Sequence, residues 1–173
     1  MARLFFALYP DAAARASLAA VLPTDGARGR VIPADNLHVT LAFLGDVDAT
    51  AADALRALQD AVPVPPFELC FERLVFWERA RARVLVPEAV PPEAECLQAG
   101  IRRLLTGQGL SFDRRPWNPH VTLERRAAPA PTRPVTPIRI RFDDYVLMAS
   151  ETRPEGAVYR PLARWRLPPG DAV

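Results

Sequence analysis

The chain contains only two histidines, and each opens the same four residues, His-Val-Thr-Leu: His38 to Leu41 and His120 to Leu123, 82 positions apart (120 − 38). In extended backbone alternate side chains share a face, so His and Thr point one way while Val and Leu point the other. Each copy offers an imidazole and a hydroxyl to one surface and anchors itself by two apolar groups on the opposite surface. Two such strands facing each other would combine two titratable nitrogens with the hydroxyls of Thr40 and Thr122. That set suits an acid–base pair around a phosphate. One imidazole takes a proton from the attacking oxygen and the other protonates the leaving oxygen, a contribution of roughly 10²–10⁴ in rate. The hydroxyls, with an arginine, would hold the non-bridging oxygens where charge builds. A lone histidine on a strand is more often structural, and threonine is a good strand former. The functional reading rests on the recurrence.

Other chemistries fit less well. A zinc site needs three or four protein ligands, and neither histidine has a His or Cys neighbour at ligand spacing, so no metal and no cofactor are expected. Ser111, Ser150, Cys70 and Cys96 sit in no nucleophile-elbow context. The two cysteines, one in a strand-like alternation and one in a helical stretch, read as buried free thiols of a cytoplasmic protein. The apolar run Leu4–Tyr9 is too short for a signal peptide, and no run reaches membrane-spanning length. The net charge of +2 does not suggest a polyanion wrapped over a wide surface, though a locally basic cleft fits it. All 22 basic residues are arginine. A guanidinium fork suits phosphate, but these arginines are spread along the whole chain, which codon bias explains more simply.

The elements that must position the histidines can be read from periodicity. Residues 3–9 form a buried strand closed by Pro10, and Asp11 suits the N-cap of an Ala-rich helix through Leu22, broken by Thr24, Asp25 and Gly26. A short strand follows at Arg30–Ile32. The first motif lies in a strand over Asn36–Leu44, with Val39, Leu41 and Phe43 on one face and His38, Thr40 and Ala42 on the other. Thr50 and Asp53 resemble a capping box for a helix with Ala54, Leu55, Leu58 and Val62 on its apolar side. Phe67, Leu69 and Phe71 alternate with Glu68, Cys70 and Glu72 in a half-buried strand, paired with Arg81–Val86. Pro91, Pro92, Glu93 and Glu95 announce a helix with the stripe Leu97, Ile101, Leu104 and Leu105, stopped by Gly107. The second motif occupies Pro119–Arg125. After a Pro-rich linker come a strand with Ile138, Ile140 and Phe142, then strands over Tyr145–Thr152 and Val158–Leu167. Runs of consecutive strands imply antiparallel pairing, hence an α+β fold. A single recurrence indicates a pseudo-duplication within one two-lobed domain, residues 1–173.

The motifs and their surroundings resemble the two-histidine (HxT/S) phosphoesterase superfamily. The stretches Arg3–Leu8, Asn36–Gly45, Arg115–Arg125 and Tyr159–Trp165 are similar to its bacterial RNA 2′,3′-cyclic phosphodiesterase branch, also called the 2′-5′ RNA ligase family. The resemblance implies two pseudo-symmetric lobes of antiparallel sheet with flanking helices around a central cleft, and no metal; the chain is expected to be a monomer. It implies hydrolysis of a 2′,3′-cyclic phosphate RNA end to a 2′-phosphate, and ATP-independent joining of a 5′-hydroxyl in a 2′-5′ linkage. It assigns His38 as proton donor and His120 as proton acceptor, roles that the residues alone leave open. Its phosphate-binding arginine, five positions past the second histidine, falls on Arg125. Strict alternation instead puts Arg126 on the face of His120 and Thr122; a bulge after Leu123 would reconcile the two. Phe5, Trp117 and Tyr159 are candidates for stacking on a base, worth about 1–3 kcal/mol, or for core packing. Two other readings are an RNA-end binding module without turnover and a phosphodiesterase for another cyclic or 2′-5′-linked substrate.

Overall fold

Among the described residues, strands dominate outside three α-helices, and the computed structural model gathers them into one nine-stranded sheet. It describes residues 2–22, 29–58, 62–153 and 156–169; Thr24, Asp25 and Gly26, expected to break the first helix, lie outside these. In chain order the elements are β1 (Ala2–Leu8), α1 (Ala12–Ala19), β2 (Arg30–Val31), β3 (Val39–Val47), α2 (Ala49–Arg56), β4 (Phe67–Trp77), β5 (Ala82–Pro87), α3 (Pro92–Gly107), β6 (Val121–Arg125), β7 (Arg133–Phe142), β8 (Asp144–Arg153) and β9 (Gly156–Arg166). Every pairing is antiparallel, in the order β7-β4-β5-β6-β3-β1-β8-β9, with β2 added beside β6. The fold is α+β.

The strand order carries the expected pseudo-symmetry. In one half α1 links β1 to its antiparallel neighbour β3; in the other α3 links β5 to its neighbour β6. The two motif strands therefore sit side by side at the centre, joined by the single register pair Val39–Val121. Beyond that pair β3 carbonyls find other partners: Trp117 Nε1 donates to Thr40 O at 2.9 Å and Asp113 N to Phe43 O at 2.9 Å. On the other motif strand β2 takes the place beside β6. The main core, built on Leu4, Phe6, Leu41, Leu69, Leu97 and Ile101, covers one face of the sheet. The other face carries two smaller clusters, Phe5, Ala7, Val146 and Met148 in one half and Ala82, Val84 and Val86 in the other.

Several local expectations shift. Asp11 caps α1 as expected, its carboxylate accepting from Ala14 N at 2.7 Å, but the helix ends at Ala19 rather than Leu22. The cap of α2 is Asp48, which accepts from Ala51 N at 2.8 Å, not Thr50; the helix starts at Ala49 and ends before Leu58 and Val62. Gly107 is the last helical residue of α3, and the stop is Gly109 at φ +68. Gly109 N bonds Thr106 O at 3.0 Å and Leu110 N bonds Leu105 O at 2.9 Å, a Schellman closure that needs the left-handed conformation. The Pro-rich linker is strand from Arg133 onward: β7 is an edge strand, where prolines are tolerated, and Pro137 falls within its register shift against β4. Cys96 is exposed, not buried, because it lies off the Leu97–Ile101 stripe that faces the sheet; Cys70 is half-buried.

Candidate active site

Both motif strands break step at the same place. On β3, Ala7 pairs with Thr40 and Phe6 with Ala42, so Leu41 is the extra residue of a bulge. On β6, Val84 pairs with Thr122 and Arg83 with Glu124, so Leu123 is extra. The bulged residue and its successor share a side, and every later residue changes face. Leu41 and Ala42 both enter the core, and Phe43 turns to the face of His38 and Thr40, the reverse of strict alternation. Likewise Leu123 and Glu124 are buried, and Arg125 joins His120 and Thr122. Arg126 instead begins a turn at φ +53 and stays outside this group. Each bulge carbonyl is satisfied, Leu41 O by the buried Gln98 amide at 3.2 Å and Leu123 O by Ile32 N at 2.8 Å.

The two histidines are held alike. His38 Nδ1 lies 2.7 Å from Asn36 O, and His120 Nδ1 lies 2.7 Å from Asn118 O. A carbonyl only accepts, so each Nδ1 carries a proton and each Nε2 is left for chemistry. His38 Nε2 stands 3.1 Å from Thr40 Oγ1. The ring of His38 packs against Phe5 at 4.9 Å and edge-on against Tyr159 at 5.2 Å; that of His120 packs against Trp77 at 4.3 Å. The apolar clusters of the two halves thus each seat one imidazole. Asn36 and Asn118 are a part of the repeat that the four-residue motif omits: the shared pattern is Asn-x-His-Val-Thr-Leu, and its signal was the asparagine two before each histidine.

His38, His120, Thr40, Thr122 and Arg125 line one cavity of about 420 Å³. Phe5 and Tyr159 line it too, whereas Trp117 does not. Sequence reasoning missed Arg3 and Arg30, which with Arg125 make three arginines among the described residues lining the cavity, with no carboxylate among those described residues. Such a site attracts an anion. Burial lowers His38 to about 4, opposed by the Asn36 carbonyl and assisted by His120 and Arg125. Burial also lowers His120, opposed by the Asn118 carbonyl and assisted by Arg125. Both rings are therefore neutral near pH 7 when the cavity holds no anion. A bound phosphate acts in the opposite sense to burial, since its negative charge favours an imidazolium and raises both rings. Among the described residues no group of three or more His, Cys, Asp or Glu side chains is arranged to hold a metal ion, and no helix is long and apolar enough to cross a membrane.

Known proteins resemble this chain in sequence and in fold. An RNA 2′,3′-cyclic phosphodiesterase of Escherichia coli K12 is 34% identical over 171 residues, which cover 95% of this chain and 96% of that protein. One of Thermus thermophilus, with the same name, is 29% identical over 185 residues, covering 95% of this chain and 90% of that protein. The crystal structure of E. coli LigT complexed with 3′-AMP superposes with a TM-score of 0.81 at 33% identity, over 96% of this chain and 98% of that one. Residues 10–149 match the 2′-5′ RNA ligase superfamily, and the chain belongs to that family.

Proposed function

We propose that this protein is an RNA 2′,3′-cyclic phosphodiesterase that works as a single two-lobed unit without a metal. The observation that carries the reading is the convergence of the two Asn-x-His-Val-Thr-Leu strands on one cavity that also holds Arg125. The curated relatives bear that activity in their names, and LigT has been crystallised with a nucleotide. Water attacks the cyclic phosphorus and loses its proton to Nε2 of His120. Nε2 of His38, protonated in the anion-bound state, gives its proton to the departing 3′-oxygen, leaving a 2′-phosphate. Thr40, Thr122 and Arg125 hold the non-bridging oxygens, and Tyr159 offers its ring to the terminal base; Phe5 is buried and backs the His38 ring, so it packs in the core rather than stacking on a base. A 5′-hydroxyl in place of water would yield a 2′-5′ linkage without ATP. Both histidines come from one chain, which supports a monomer; the unpaired thiols and an RNA substrate suit the cytoplasm.

The test is product analysis on an oligonucleotide with a 2′,3′-cyclic phosphate end, in excess chelator. The expected product is the 2′-monoester, with turnover nearly abolished in His38→Ala and in His120→Ala. Full activity in either variant overturns the acid–base scheme, and tight binding without product makes the protein a binding module. A 3′-thio substrate separates the roles, because departing sulfur needs no proton: it should rescue His38→Ala and not His120→Ala.

A further inference from the structure

Trp117 leads to a second cavity. It encloses about 370 Å³ and shares Thr40, Phe43 and His120 with the first, but reaches none of His38, Thr122 or Arg125. Its size falls within the ~300–1,000 Å³ usual for small-molecule sites. Trp77, Trp117 and Phe43 supply aromatic walls. These walls are fixed: Trp117 Nε1 donates to Thr40 O at 2.9 Å, and Trp77 packs on the His120 ring at 4.3 Å. At the rim, Arg102 donates to Arg115 O at 2.5 Å, and Arg115 pairs with Asp113 at 2.5 Å. An aromatic chamber that opens onto only one of the two imidazoles is placed for a group that interacts with that imidazole alone.

We infer that this chamber is the subsite for the first nucleoside of an incoming RNA strand with a free 5′-hydroxyl, its base stacked on Trp117. The inference rests on the phosphodiesterase reading, and in particular on His120 as the proton acceptor. The 5′-oxygen then approaches phosphorus from the side of His120 and gives its proton to Nε2. A bond forms from the 5′-oxygen to phosphorus, the bond from phosphorus to the 3′-oxygen breaks, and His38 returns a proton to the 3′-oxygen. The product is a 2′-5′ phosphodiester with a free 3′-hydroxyl, and atoms and charge balance with no further reactant. Water and the acceptor strand compete for the same approach, so occupancy of the chamber sets the ratio of joining to hydrolysis. Stacking on an aromatic is tolerant of base identity, so the subsite takes any base.

The experiment incubates the protein with a cyclic-phosphate-ended oligonucleotide and an excess of a 5′-hydroxyl acceptor, and reads the ratio of joined to hydrolysed product. With the intact protein the ratio should rise with acceptor concentration and saturate. An acceptor whose first nucleotide is abasic should lower the ratio at least tenfold, and Trp117→Ala should do the same with the intact acceptor. An abasic acceptor joined as well as the intact one overturns the inference, whatever becomes of the Trp117 variant. Hydrolysis without joining at any acceptor concentration also overturns it, while leaving the phosphodiesterase reading in place. Loss of both products with the intact protein defeats that reading instead. A direct check uses fluorescence, since of the three tryptophans two line the chamber and the third, Trp165, is buried in the core. Adenosine added with saturating adenosine 2′-monophosphate should quench it, and an unchanged signal counts against the subsite.

Discussion

Phe43 and Arg125 occupy equivalent positions in the two halves of the sheet. Each is the fifth residue after its motif histidine, and each is turned to the cavity by a bulge at the motif leucine. One half therefore ends in a ring and the other in a guanidinium, with Arg3 lying over the Phe43 ring at 5.1 Å. The duplicated backbone makes two similar cradles that differ at this position, where one half presents its charge from the motif strand and the other from Arg3 on β1.

Arg125 and Arg126 should accordingly differ sharply under mutation. Arg125→Ala should lower kcat/KM for a 2′,3′-cyclic nucleotide by about 10²–10³-fold, the usual loss when one donor to a developing oxyanion is removed. Arg125→Lys should recover part of that loss, since an ammonium keeps the charge and gives up the fork. Arg126→Ala should leave kcat/KM nearly unchanged. The reverse ranking in steady-state kinetics would place the phosphate on the other arginine.

Acid should weaken the fold through His38. Burial lowers this group from 6.5 to about 4, so between those values the unfolded chain binds a proton that the folded chain does not. The stability owed to neutral His38 is complete above pH 6.5 and is lost as pH falls toward about 4. Urea unfolding at pH 7 and pH 5 should show a smaller difference for His38→Asn than for the parent protein. An anion in the cavity should act oppositely: inorganic phosphate should raise the histidine titration midpoints followed by NMR.

Glu124 is fully buried behind Arg125, with Oε2 3.3 Å from Arg83 Nε and Oε1 accepting from Gly29 N at 2.5 Å. Gly29 lies directly on the Arg125–Arg126 backbone, where a Cβ would collide with the Arg125 carbonyl. Breaking a buried pair by removing one partner costs about 3–5 kcal/mol, so Glu124→Ala should destabilise the protein by that order in urea. Glu124→Gln keeps an acceptor for Gly29 and should cost less. Glu124→Ala should also lower activity in the still-folded protein, because the start of β2 and the end of β6 are clamped through the Gly29 N to Glu124 Oε1 bond, which Glu124→Gln keeps.

The two glycines at the end of α3 should respond oppositely to alanine. Gly107 is helical with open space around it, so Gly107→Ala should stabilise by up to about 1 kcal/mol. Gly109 sits at φ +68, where a side chain is strained, so Gly109→Ala should destabilise by about 1 kcal/mol. Thermal melting of the two variants distinguishes the helix stop proposed from sequence order from the one the backbone uses.

The sequence by itself determined the chemistry-bearing pairs. His38 with Thr40 and His120 with Thr122 share a face because strand alternation is a local property, and Asp11 and Pro92 mark helix starts for equally local reasons. The α+β class followed from the run of consecutive strands. Only the tertiary structure decided which strands became neighbours, and therefore that Leu41 and Leu123 are bulges. Such a bulge is a mismatch between two strands distant in the chain, and the motif strand alone does not display it. The same limit explains why Phe43 and Ala42 exchanged faces, why Trp117 left the phosphate cavity for its neighbour, and why prolines fit an edge strand. Side-chain direction near a bulge, and exposure along an edge, depend on partners that a single stretch of sequence does not contain.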